Sequence, residues 1–260
     1  MKPTHKILLT TIISFGLFYF LNKLYFHALD GYLFGVLSNN NISFLLAYSI
    51  VGVPLFIGLL IIHKPQEILK SLGLAKGFFT GFLFAFIVCL PMLVGFSFFL
   101  TFNSGITFHK IFTGVLLAAF FEEMYFRGVL FGQLFRFTKM GFLPSVLVCA
   151  LLFALGHLWQ STDAAILIGI FTTTFLGAMF FAWLYIEWDN NLWVPMGLHL
   201  FMNLYWDLFS GANALGNASS NVFRIITIAF AVIGTLRYKK RKGKPLSITL
   251  DTLWMKKEHS

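Results

Sequence analysis

The sequence predicts an all-α fold, a polytopic membrane helix bundle of about eight transmembrane helices. Three observations carry that reading. Of the 260 residues, 58% are hydrophobic and 11% charged, against about 25% charged in an ordinary soluble domain. Mean hydropathy is +0.82, and the 34 Phe and 22 Gly suit helices in lipid, where glycine is more frequent than in soluble helices. Apolar stretches of roughly 20 residues, enough to cross a hydrocarbon core, recur along the whole chain. Residues 1–260 therefore read as a single integral-membrane domain.

The first stretch, 7–27, is too long for a signal-peptide core and lacks a small-residue cleavage site, so it is expected to be the first span. The others fall at 42–63, 78–101, 108–136, 142–159, 164–186, 191–209 and 221–237. Lys64, Lys70, Lys76 and Lys139 occupy the connections at 64–77 and 137–141, whereas 28–41, 102–107 and 210–220 carry no Lys or Arg. With an even span count, the positive-inside rule places both termini in the cytoplasm. The residues 65–77 read as a short amphipathic cytoplasmic stretch. Arg237 and the tail 238–260, with Lys239, Lys240, Arg241, Lys242 and Lys244, form a basic cytoplasmic patch expected to face anionic lipid. The net charge of +9 thus reflects membrane topology, and no nucleic acid partner is expected. Cys89 and Cys149 sit in apolar runs and read as small buried hydrophobes. Asn41 and Asn217 head glycosylation sequons, meaningful only in a secretory pathway.

Within the fourth stretch stands Glu122-Glu123-Met124-Tyr125-Phe126-Arg127. Charges at the middle of a span are costly, face the bundle interior and tend to be functional. Glu123 and Arg127, four apart, share a helical face and can neutralise each other. Glu122 points roughly 100° away and is left as the unpaired carboxylate. Asp30, Glu67, Glu187 and Asp189 fall in loops by contrast, and Asp163 reads as a helix cap. Of the seven histidines, His157 and His199 lie inside apolar runs. Phe153, four before His157, can pack beside its imidazole. His199, Asn203 and Asp207 form a polar stripe at i, i+4 and i+8, in which Asp207 reads as a helix-end carboxylate. Alone, His199 and Asn203 would be polar glue between helices; beside the charged turn they read as part of a reaction centre.

A general base, an imidazole and neutral hydrogen-bond donors are the parts for hydrolysing an amide with water. Glu122 takes the role of base and His157 shares its water and protonates the leaving amine. His199 and Asn203 stabilise the oxyanion, with Glu123 and Arg127 as structural support. No Gly-x-Ser-x-Gly occurs and neither cysteine lies near a histidine in sequence, which disfavours a serine or cysteine nucleophile. No cofactor is required. The alternative is Zn2+ held by Glu122, His157 and His199 with an open fourth position, although a helix-borne His-Glu-x-x-His is missing.

Glu-Glu-x-x-x-Arg at 122–127, Phe-x-x-x-His at 153–157 and His-x-x-x-Asn at 199–203 resemble, in order and spacing, the three motifs of the CPBP intramembrane proteases. That family comprises the type II CAAX prenyl endopeptidases and bacteriocin-processing or self-immunity relatives, also called Abi. The similar region spans about 105–210. The resemblance implies an eight-helix membrane fold and endopeptidase activity within the bilayer. It puts the family's catalytic Glu on Glu122, its water-sharing His on His157 and its oxyanion pair on His199 and Asn203. Glu123 and Arg127 match the remaining positions of the first motif. Members have been described both as metalloproteases and as metal-free, so Zn2+ stays open. The implied partners are membrane lipids and a membrane-embedded or membrane-associated peptide or protein, in what reads as a bacterial cell membrane. Two other classes compete: a non-catalytic bacteriocin-immunity protein, and an ion-coupled transporter, for which no inverted repeat is apparent. One mismatch needs resolving. At 1.5 Å per residue, Glu122 and His157 lie about 20 Å from the cytoplasmic helix ends but His199 only about 12 Å. Overhang of the fourth helix, or a seventh helix starting as early as Trp188, would reconcile them.

Overall fold

The computed structural model describes residues 3–210 and 218–255; the Asn217 sequon and the tail's last residues, 256–260, lie outside them. Helix α1 (Pro3–Leu37) runs 35 residues, so the expected connection at 28–41 shrinks to Ser38 and Asn39. The Asn39 side chain accepts from the amides of Asn41 and Ile42 at 3.0 and 3.1 Å, an N-cap that starts the next helix at once. Helices α2 (Asn40–Val51) and α3 (Val53–Ile62) form one stretch bent by 42°. Pro54 has no N–H for the Ile50 carbonyl, and glycine at 52 leaves room for the Tyr125 hydroxyl, which donates to the Tyr48 carbonyl at 3.1 Å. The amphipathic connection folds as a turn and α4 (Ile68–Leu72). Arg136 clips it to the bundle by donating to the Ser71 carbonyl and, at 2.6 Å, to the Tyr185 hydroxyl.

After α5 (Phe78–Phe99), strand β1 (Thr101–Phe102) pairs antiparallel with β2 (Phe209–Ser210), a small departure from an all-helical chain. Helix α6 covers 108–137. It is α-helical at Phe108–Lys110, Ala118–Glu122 and Gly132–Phe137 and π-helical at Ile111–Leu117 and Glu123–Phe131. The remaining helices are α7 (Phe142–Leu155), α8 (Ala164–Glu187), α9 (Trp193–Leu208), α10 (Ala218–Arg241) and the short α11 (Leu250–Leu253). Helix occupies the greater part of every expected span. Among the described residues, five helices are long and apolar enough to cross a membrane, six if α2 and α3 are one span. The two outside that measure carry motif residues: α6 is charged and interrupted, and α9 has 16 residues.

Their departure from a lipid-like composition has a packing reason. Residues 123–135 of α6 are all buried, and a helix enclosed on every side is solvated by protein rather than lipid. Helices α9 and α10 pack on α5, α1 packs on α2 and α3, and α8 packs on α7. The motif helix is thus the axis of the bundle.

The C-terminal tail departs from expectation. Glu187, expected in a solvated loop, is fully buried. It accepts from the amides of Ser247 (3.1 and 2.9 Å) and Ile248 (3.0 Å), and its Oε2 lies 3.1 Å from the Nζ of Lys239, itself buried. Lys244 pairs with Asp189 at 2.8 Å. Of the six basic residues, only Arg237, Lys240, Arg241 and Lys242 remain as an exposed, unanchored patch. The cause is the expense of a buried carboxylate, which has to be paired and hydrogen-bonded; the chain folds back at Gly243 (φ 61) and supplies the donors. Burial pushes the Asp189 carboxyl up, but the hydrogen bond and charge of Lys244 and the charge of Lys239 outweigh it and hold the carboxyl below its usual range. That pair's contribution is full above the unfolded-state value and is lost as pH falls through the lowered native one. Glu187→Ala would strand Lys239 at an expected cost of about 3–5 kcal/mol. Hydrogen exchange at the Ser247 and Ile248 amides should accelerate, and unchanged protection would show the tail is held elsewhere.

Candidate active site

Glu122 ends the α-helical turn Ala118–Glu122, and Glu123 begins the π-helical stretch. The change of pitch falls between the two carboxylates and sends them to different partners. Glu123 is fully buried and its Oε1 lies 3.2 Å from Arg127 Nη1, itself 1% exposed. The Arg127 guanidinium is sandwiched by the rings of Phe153 and Phe181, 4.2 and 5.6 Å from their centroids, a cation–π arrangement that helps a buried cation. Glu122 is 20% exposed and makes no such pair. The division between them matches the one expected from spacing.

His157 was expected inside a span, but α7 ends at Leu155 and Gly156 caps it. The imidazole sits one residue beyond, in the turn before 3-10 residues Leu158–Gln160. Two contacts fix the ring. It packs on Phe153 with centroids 4.4 Å apart, as its spacing suggested, and its Nδ1 lies 2.7 Å from the Phe153 carbonyl oxygen. A carbonyl only accepts, so Nδ1 carries the proton and Nε2 is turned to the site. That Nε2 stands 3.9 Å from Glu122 Oε2.

On α9 the polar stripe faces α6 throughout. His199 Nδ1 is 2.8 Å from Glu123 Oε1, and its Nε2 is 3.9 Å from Glu122 Oε2. Asn203 Nδ2 donates to the Gly114 carbonyl at 3.2 Å. Asp207 pairs with Lys110 at 2.9 Å, in keeping with its reading as a helix-end carboxylate. Glu122, His157 and His199 therefore converge, whereas Asn203 is a turn further along and already gives one amide hydrogen to the backbone. Spacing marked the stripe as one face of a helix but did not say which helix it meets. The bond from Glu123 to His199 was not foreseen.

The depth mismatch resolves by overhang of α6. Helix α9 begins at Trp193, not Trp188, and its start is held against the α4–α5 connection. Leu192 donates its amide to the Gly73 carbonyl at 3.1 Å and Trp193 its indole N–H to Leu74 at 3.1 Å. A side chain at Gly128 would stand 3.1 Å from Leu192 Cδ2, so α9 starts level with Gly128, about 14 Å before the end of α6. Six residues further, about 9 Å, His199 reaches the depth of Glu122.

A tetrahedral zinc with bonds of about 2.0–2.1 Å needs ligand atoms about 3.4 Å apart. Both imidazole Nε2 atoms stand 3.9 Å from Glu122 Oε2, and among the described residues no group of three His, Cys, Asp or Glu has metal-holding geometry. The donor types suit zinc but their present spacing does not.

Fold and site together define a polytopic, predominantly helical integral membrane protein whose axial helix carries a buried ion pair and an adjoining carboxylate faced by two imidazoles. Residues 105–205, which hold every one of these groups, match the family model for type II CAAX prenyl endopeptidase Rce1-like proteins. That region, 101 of the 260 residues, is thus similar to this endopeptidase family, in agreement with the resemblance of the three motifs to the CPBP intramembrane proteases. No curated protein and no solved structure matches it.

Proposed function

We propose that this protein is an intramembrane endopeptidase that hydrolyses a peptide bond with water activated by Glu122 and His157. The oxyanion is stabilised from His199 and Asn203, and the substrate is a membrane-embedded or membrane-associated peptide or protein. The enzyme works in a bacterial cell membrane with both termini cytoplasmic. One observation carries the reading: two imidazole Nε2 atoms, from separate segments, each stand 3.9 Å from the same oxygen of Glu122, a gap that one bridging water spans.

The chemistry follows from the tautomers. With Nδ1–H given to Phe153, His157 Nε2 accepts one hydrogen of the water while Glu122 accepts the other. The water oxygen bonds to the carbonyl carbon as its proton passes to Glu122. The carbon–nitrogen bond then breaks, and that proton reaches the leaving nitrogen through His157 Nε2, which restores both residues. His199 gives its Nδ1–H to Glu123, which is paired with Arg127, so Nε2 donates to an oxyanion only when the ring is doubly protonated. Glu123 is the counter-charge for that imidazolium. Asn203 has its second amide hydrogen left for the same oxygen.

Asn203→Ala is expected to lower kcat by about 100- to 1,000-fold with little change in KM; an unchanged kcat would remove it from the oxyanion site. Chelation with EDTA should leave the rate intact, and a loss restored by added zinc would replace the metal-free mechanism. No observation in the structure or the comparisons favours the zinc-dependent or bacteriocin-immunity readings. The function itself is tested by comparing protein termini in membranes carrying the wild type and Glu122→Gln. Cleavage products that depend on an intact Glu122 are expected, and identical sets of termini would sink the proposal.

A further inference from the structure

Lys23 is an intramembrane charge that the proposed reaction leaves unused. It lies in α1, one helical turn before His27, inside the first apolar stretch. It makes no ion pair with any described carboxylate, and Asp30, the next acid along α1, is about 10 Å further on. A lysine so placed is costly, and the usual compensation is to snorkel towards headgroups. Beside it runs a groove of about 540 Å³ along α1 from Ile12 to Leu24, closed behind by Leu130 of α6 and by Val148 and Leu152 of α7. Twelve residues of helix span about 18 Å, close to half of the roughly 30 Å hydrocarbon core, which is the depth one acyl chain occupies. Apart from Lys23 and the Tyr19 hydroxyl, the groove is lined by apolar side chains and Gly16.

We infer that this groove binds an anionic phospholipid, with one acyl chain along α1 and the headgroup phosphate on Lys23. A cation at one end and an apolar trough of leaflet depth at the other fit an amphiphile with a negative head. A zwitterionic lipid satisfies the trough but gains less at Lys23, because its own ammonium competes for the phosphate. The groove lies behind the reaction centre rather than in it: Phe15 on its wall packs on Phe126 (5.1 Å), Phe126 on Phe153 (5.0 Å), and Phe153 on His157 (4.4 Å).

The test is native mass spectrometry of the full-length protein titrated with phosphatidylglycerol or with phosphatidylcholine of the same acyl chains. The wild type should retain phosphatidylglycerol preferentially, and Lys23→Gln should reduce that preference about fivefold, the worth of one membrane-surface lysine. Lys76→Gln, in the α4–α5 connection, should leave it unchanged. Gly16→Leu should lower retention of both lipids, since a side chain at Gly16 meets nothing within 4 Å and enters the groove without a clash. Equal retention of the two lipids by the wild type overturns the inference. So does a preference that survives Lys23→Gln, or lipid retention by Gly16→Leu equal to wild type.

Discussion

Glu122→Gln is expected to lower the cleavage rate by about 10²- to 10⁴-fold, the range a positioned general base supplies, while the protein inserts and folds as before. The substitution is nearly isosteric, and Glu122 is part-exposed without a close ionic partner, so little structure depends on its charge. An amide cannot take the proton of the water, however well it is placed. Thermal unfolding should therefore be nearly unchanged while turnover collapses. A variant that turns over normally ends the mechanism. One that fails to fold would move Glu122 into the supporting set with Glu123 and Arg127.

The second large effect falls on that supporting set. Arg127→Met removes the cation from the Phe153 and Phe181 rings and leaves the fully buried Glu123 carboxyl without its partner. Breaking a buried pair from one side costs about 3–5 kcal/mol. There is little to absorb it, since Glu123 Oε2 and Arg127 Nε already lack a hydrogen-bond partner among the described residues. The variant should unfold at clearly lower denaturant or temperature. A stability within about 0.5 kcal/mol of wild type, the scatter of ordinary surface substitutions, would mean that the pair is not structural.

Much of the site was legible in the linear chain because its decisive relations are local. Glu123 and Arg127 meet because they are four apart, Phe153 stacks on His157 for the same reason, and Glu122 is left over by the same geometry. What escaped is everything with a partner on a distant segment. The Glu123–His199 bond spans 76 positions and Glu187–Ser247 spans 60, and no periodicity encodes either. Helix ends escaped too. The stretch to residue 159 looked continuous by hydropathy, yet the helix stops at Leu155 and frees His157 to turn into the site. In the tail, basic composition does not reveal that a buried Glu187 on another helix recruits one of those lysines.

By itself, the sequence determined that this is a helical membrane protein with a costly charged turn in a central helix. It also determined that Glu122 is the unpaired member of that turn, since composition sets the solvent and spacing sets the face. Only the tertiary structure decided that both imidazoles turn their Nε2 atoms to one oxygen of Glu122 and that Glu123 orients His199. It alone set the start of α9 level with Gly128, which brings His199 alongside Glu122. These depend on helix depth and crossing, which are set by packing between segments far apart in the chain.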